Sequence, residues 1–82
     1  MIDYNLYFKN NIKPLTKREL EVLEHVAAGK TNNEIANVLD VTRYTIKAHV
    51  SSILYKMNVE NRLNAVLKAA EIGIVQTNRF IC

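Results

Sequence analysis

Glycine and proline are nearly absent from this chain: Gly29, Gly73 and Pro14 are the only three in 82 residues, and each falls between segments of helical periodicity. That punctuation argues against a sheet protein joined by tight turns and predicts an all-α domain. A hydrophobic share of 49% in 82 residues supplies one small helical core, too little for two domains. A chain of this size usually has no substrate domain or lid, which disfavours an elaborate enzyme.

Other chemistries fall away on residue counts. Cys82 is the only cysteine, so intramolecular disulfides and cysteine-rich zinc sites are excluded. His25 and His49 stand 24 positions apart with no spaced carboxylate or thiol pair, so neither a metal nor a cofactor is expected. No Ser-His-Asp order, phosphate loop or glycine-rich nucleotide turn occurs, so no catalytic residue is assigned. No apolar run approaches the roughly 20 residues that span a bilayer, and Met1 to Phe8 lacks the basic start of a signal peptide. These features predict a cytoplasmic protein with no membrane partner.

Thr16 and Glu19 form the spacing of a capping box, with Leu15 and Leu20 placed as a hydrophobic staple. The first helix is thus predicted from Lys17 to about Ala28, with Leu20, Leu23, Val26 and Ala27 inward and Gly29 as its left-handed stop. Thr31 and Glu34 open a second, two-turn helix carrying Ile35, Ala36 and Leu39. Only Asp40 and Val41 separate it from Thr42, the cap of a third helix from about Arg43 to Met57, with Val41 and Ile46 as another staple. Ile46, Val50, Ile53, Leu54 and Met57 form its apolar stripe, while Tyr44, Ala48, Ser51, Ser52 and Tyr55 point away and Lys47 lies at the flank. Asn61 caps a fourth helix reaching about Ile72, with Leu63, Val66, Ala69 and Ala70 inward and Gly73 as terminator. The expected organisation is a leading arm or linker over 1–14, a four-helix bundle-like domain over 15–75 and a tail over 76–82.

A short helix, a tight corner and a longer helix form a helix-turn-helix, in which the first helix braces the second against a nucleic-acid groove. Short corners also occur in purely structural bundles, so charge has to decide. The chain as a whole carries +3. Residues 15–40 hold Lys17, Arg18 and Lys30 against Glu19, Glu21, Glu24, Glu34 and Asp40, a net −2. Residues 41–68 hold Arg43, Lys47, Lys56, Arg62 and Lys68 against Glu60 alone, a net +4. The basic half contains the candidate reading helix, as a polyanion partner requires.

The segments Leu15-Thr16-Lys17-Arg18-Glu19, Gly29-Lys30-Thr31-Asn32-Asn33-Glu34-Ile35-Ala36 and Thr45-Ile46-Lys47-Ala48-His49 resemble the LuxR-type helix-turn-helix domain. The resemblance runs on through Ile53, Lys56-Met57, Val59, Arg62 and Ala65-Val66 to Gly73-Ile74, roughly residues 14–75 without a gap. It implies a four-helix DNA-binding module of a bacterial transcription regulator, often attached after a receiver or ligand-sensing domain. Double-stranded DNA is the implied partner, read as a homodimer through the fourth helix, with RNA polymerase as a further implied partner. It places Lys47, Ala48 and Ser51 towards base edges, on the outward face that periodicity gives independently. Lys47 can donate to guanine O6 or N7, Ala48 can touch a thymine methyl, and Ser51 can make one hydrogen bond. Relatives often carry Lys or Arg where Ser51 stands, which points to modest direct readout here, with dimerisation or DNA shape adding discrimination.

Phosphate contacts are expected from Thr42, Arg43, Tyr44 and Thr45 at the start of the third helix, Asn32 and Asn33 at the start of the second, and Lys56 near the far end. Asn64, Leu67, Lys68 and Glu71 lie off the inward stripe of the fourth helix and are the candidates for the dimer contact. Structural roles compete at several positions. Thr42 also serves as a cap, Tyr55 as an ordinary exposed aromatic or cover for the arm, and His49 as a partly buried, hydrogen-bonded side chain. Glu19 and Arg62 are read as an internal ion pair or cap. The alternative to DNA binding is a small helical protein-interaction module. Its weakness is that Tyr44, Ala48, Ser51 and Ser52 offer few large apolar anchors.

Overall fold

A computed structural model describes residues 9–75 of the chain. Within them lie four helices, α1 (Lys17–Ala27), α2 (Asn32–Leu39), α3 (Arg43–Met57) and α4 (Arg62–Glu71), and no strand. The all-α expectation holds, with the helix boundaries within one residue of the sequence reading. Most of the leading arm, the whole 76–82 tail and Cys82 lie outside the described residues.

Local chemistry sets the helix starts. In α1 the Glu19 N–H donates to Thr16 Oγ1 at 3.1 Å and the Thr16 N–H donates to Glu19 Oε1 at 2.8 Å. Thr31 and Glu34 repeat the same reciprocal pair at 3.2 and 2.8 Å. Both boxes satisfy amides that the first turn of a helix leaves without partners. In α3 Thr42 Oγ1 accepts from the Thr45 N–H at 3.2 Å, and in α4 Asn61 Oδ1 accepts from the Asn64 N–H at 2.8 Å.

The stops divide into two kinds. Gly29 and Gly73 take left-handed φ of 86° and 84°, a region free of steric cost only for glycine. α2 and α3 instead end on Asp40 and Asn58 at φ 56° and 58°, the two side-chain types that best tolerate that region. The left-handed Asp40 reverses the chain so that the Val41 N–H donates back to the Ala36 carbonyl at 3.0 Å. Val41 then packs on the core and Thr42 begins α3 at once. This corner fixes the angle between α2 and α3.

The core draws Val22, Leu23, Val26 and Ala27 from α1, Ile35 and Ala36 from α2, Ile46, Ile53 and Met57 from α3, and Ala65 and Ala69 from α4. Leu15, Ile12 and Val75 close its ends, while Leu20, Val50 and Leu54 pack at its margin. Each fully buried aliphatic side chain stabilises by about 1.5–3 kcal/mol relative to exposure. Four details differ from the sequence reading. Leu63, expected inside, is 65% exposed, because the small side chains of Ala65 and Ala69 are what meet the core. Val22, left out of the α1 stripe, is fully buried beside Val26, one turn on. Ile12 is buried, so the end of the leading arm joins the core, and the Lys13 N–H donates to the Lys56 carbonyl at 2.7 Å. Ser52, expected to point out, is half-buried, because its hydroxyl donates to Glu19 Oε2 at 2.6 Å.

Candidate nucleic-acid interface

α3 presents two unlike sides. Ile46, Ile53 and Met57 are buried against the other helices, while Arg43, Tyr44, Thr45, Lys47, Ala48, Ser51 and Tyr55 are exposed. The 15 residues of α3 include no acidic side chain, so its outward face is uncompensated positive. α1 and α2 both carry a glutamate at the third helical position, returned onto the cap. α3 has Thr45 there, whose hydroxyl lies 3.1 Å from that of Thr42. The N-terminus of α3 therefore keeps its full positive dipole, and Arg43 adds a unit charge. The Arg43 guanidinium stacks 5.1 Å from the Tyr44 ring centroid and donates to Tyr44 Oη at 3.2 Å, so the two exposed side chains form one amphipathic plate.

Three ties hold α3 and α2 in place from behind. The Glu19 carboxylate of α1 accepts from Ser52 Oγ at 2.6 Å and from Lys56 Nζ at 2.8 Å, one turn apart on α3, as well as from the Thr16 N–H. Burial by itself pushes the Glu19 carboxyl up. The hydrogen bonds from Lys56, Ser52 and Thr16, with the Lys56 charge, outweigh it and hold the pKa at about 2. From α4, Arg62 donates to Asn32 Oδ1 at 2.6 Å and to the Lys30 carbonyl at 2.7 Å. Burial lowers the Arg62 pKa, yet an arginine stays charged through such a change. Lys68 Nζ donates to the Met57 carbonyl at 2.8 Å, placing a cation at the negative end of α3.

The structure thus sorts the residues singled out in the sequence. Lys47, Ala48 and Ser51 share the open face of α3 with Arg43 and Tyr44, and Asn33 is exposed on α2. Asn32 is taken up by Arg62, and Lys56 by Glu19. His49 is half-buried at the flank. Tyr55 is 71% exposed and covered on one face by Lys13 Nζ at 4.7 Å, which ties it to the arm. On α4, Asn64, Leu67 and Glu71 are exposed, whereas Lys68 is half-buried on Met57. The partners of Glu19 on α3 and of Arg62 at the start of α2 escaped the sequence reading. They lie 33, 37 and 30 positions away, beyond any local spacing rule. Among the described residues no group of three His, Cys, Asp or Glu side chains could hold a metal ion, and no helix is long and apolar enough to cross a membrane.

A two-turn helix, a left-handed corner and a braced basic helix define a helix-turn-helix domain. Residues 13–69 match the family described as bacterial regulatory proteins, luxR family, and the chain belongs to that family. It is 48% identical over 61 residues to the glycerol metabolism activator of Pseudomonas putida, covering 74% of this chain and 28% of that protein. It is 45% identical over 69 residues to the transcriptional regulatory protein DesR of Bacillus subtilis, covering 84% and 34%. With the response regulator protein VraR of Staphylococcus aureus the identity is 44% over 62 residues, covering 76% and 30%. The chain therefore spans about a third or less of the length of these relatives.

Proposed function

We propose that the chain is the DNA-reading module of a bacterial transcription regulator and binds with the outer face of α3 in the major groove of a duplex. One observation carries this reading: α3 exposes Arg43 and Lys47 on a face without a carboxylate, while its opposite side is locked to α1. A helix of this kind fits the wide groove, whose base edges offer a complete donor and acceptor code. Lys47 addresses guanine O6 or N7, Ala48 a thymine methyl and Ser51 one adaptable acceptor or donor. Thr42, Arg43, Tyr44, Thr45 and Asn33 face the backbone phosphates. Asn32 and Lys56 act one step back, through Arg62 and Glu19.

The reading extends to a symmetric pair of chains. Leu63 and Leu67 are 65% and 56% exposed and one turn apart on α4, with Asn64 and Glu71 beside them. That apolar strip supports a small isologous contact in which the same strip of each chain packs on its copy. Half-sites then repeat at about one turn of DNA, 10–10.5 base pairs, as an imperfect palindrome. The activity is recognition without catalysis, exercised in the cytoplasm where the DNA lies. RNA polymerase enters on the family resemblance alone.

Selection of bound duplexes from a random pool tests this, and a two-half-site sequence is the expected product. On that duplex Lys47→Ala costs about 1–3 kcal/mol and relaxes preference at one base position, whereas Arg43→Ala weakens all sequences alike and lowers the salt slope by about one. Wild-type affinity in both variants at every salt concentration overturns the placement of α3.

A further inference from the structure

A shallow concavity on the same side of the molecule is bordered by the loop before α2, the first turn of α2, the first residue of α3 and the first residue of α4. Its lining includes Lys30, Asn33, Arg43 and Arg62 and no acidic side chain. Glu34, the one carboxylate of α2, is turned back onto the Thr31 N–H. Three cations from separate elements thus line one hollow, and the nearest carboxylate, Glu34, acts on Lys30 through its charge from outside the lining. Elsewhere the pattern differs: Lys56 is neutralised by Glu19 at 2.8 Å, and Arg18 has Glu21 at 4.0 Å.

Arg62 is not used like Arg43. Its two terminal nitrogens are committed, at 2.6 Å to the Asn32 side chain and at 2.7 Å to the Lys30 carbonyl. A planar guanidinium fixed at two points holds the loop bearing Lys30 and the start of α2 in one arrangement. Arg43 is exposed, and Lys30 Nζ, which meets His25 Nδ1 at 2.8 Å, still has ammonium hydrogens to donate.

We propose that Lys30, Asn33 and Arg43 form a seat for a single backbone phosphodiester, and that Arg62 is its positioning residue. The proposal rests on the DNA-binding reading and deepens it. The hollow lies beside the α3 face that addresses base edges, so the seat fixes register along the strand without contributing base preference.

The test uses the selected duplex with one phosphate at a time replaced by neutral methylphosphonate, on the full chain and its variants. In the wild type one position should weaken binding by about tenfold, the loss of roughly one charge-assisted contact. That penalty should vanish in both Lys30→Ala and Arg43→Ala, each of which lowers the salt slope by about one. Arg62→Lys keeps the charge and loses the fork. It should retain the helical circular dichroism and the base preference while blurring the penalty over neighbouring phosphates, a change that a purely stabilising arginine does not produce. If Lys30 and Arg43 act on different phosphates, or if Lys30→Ala leaves the slope unchanged, the seat is wrong although DNA binding stands. If the wild type binds no duplex, both proposals fall.

Discussion

Glu19 shows how far one side chain can serve two levels of structure. It closes a capping box with Thr16 and, with the same carboxylate, holds Ser52 and Lys56 of α3. Its pKa falls from 4.5 to about 2 on folding, so the carboxylate contributes stability that is complete above the unfolded value and is lost as pH falls from 4.5 towards 2. The shift corresponds to about 3 kcal/mol at neutral pH. Acid titration followed by circular dichroism should show unfolding across that window. Glu19→Gln, which keeps the box but not the charge, should be less stable at pH 7 by about 2–3 kcal/mol and lose most of the acid dependence. Glu34 also has its pKa lowered, first by the Thr31 N–H and then by the Thr31 side chain, but it is exposed and reaches no other helix. Glu34→Gln should leave the acid transition in place. Lys56→Gln should destabilise as Glu19→Gln does while leaving the salt slope of DNA binding intact, because its ammonium is engaged inside the protein. The box was legible in the Thr16–Glu19 spacing. The grip on α3 was not, since it depends on how two distant helices pack.

Among the elements, α3 and α4 were read from sequence with unequal success. The apolar residues of α3 fall in one stripe between polar positions, so periodicity had a single solution. In α4, Leu63, Ala65, Val66, Leu67, Ala69 and Ala70 surround most of the helix, and several faces satisfy a helical period. Close approach decided the matter: the alanines allow α4 to sit against the core, and the larger Leu63 and Leu67 are left outside. Enlarging Ala69, which is fully buried, to leucine should therefore cost about 1–3 kcal/mol by overpacking. Leu63→Glu should change thermal stability by less than about 0.5 kcal/mol, as a surface substitution. It should nonetheless abolish pairing in sedimentation and weaken binding to a two-half-site duplex more than to a single half-site. Equal losses on both duplexes, or unaltered pairing, would remove α4 from the dimer contact.

Across the whole molecule, one small core unites four helices, and the margins of the chain count for more than their periodicity suggests. Residues 9–14 show no repeat, and the sequence alone set them outside the domain. Yet Ile12 is 7% exposed within the core, and a lone buried side chain after an irregular stretch leaves no pattern to read. Ile12→Ala should cost about 2–4 kcal/mol, measurable by urea denaturation. An unchanged midpoint would show that the arm merely lies on the surface. The charge division was legible at this scale, because it needs only the order of the residues and the position of one corner.

The bond from the Lys13 N–H to the Lys56 carbonyl pins the incoming chain to the trailing end of α3, roughly 20 Å along the helix from Arg43 at 1.5 Å per residue. Residues 12 and 13 are thus held at the trailing end of α3, away from its first turn. Tension applied at Lys13 therefore bears first on the last turn of α3 and leaves its opening turn to the cap at Thr42.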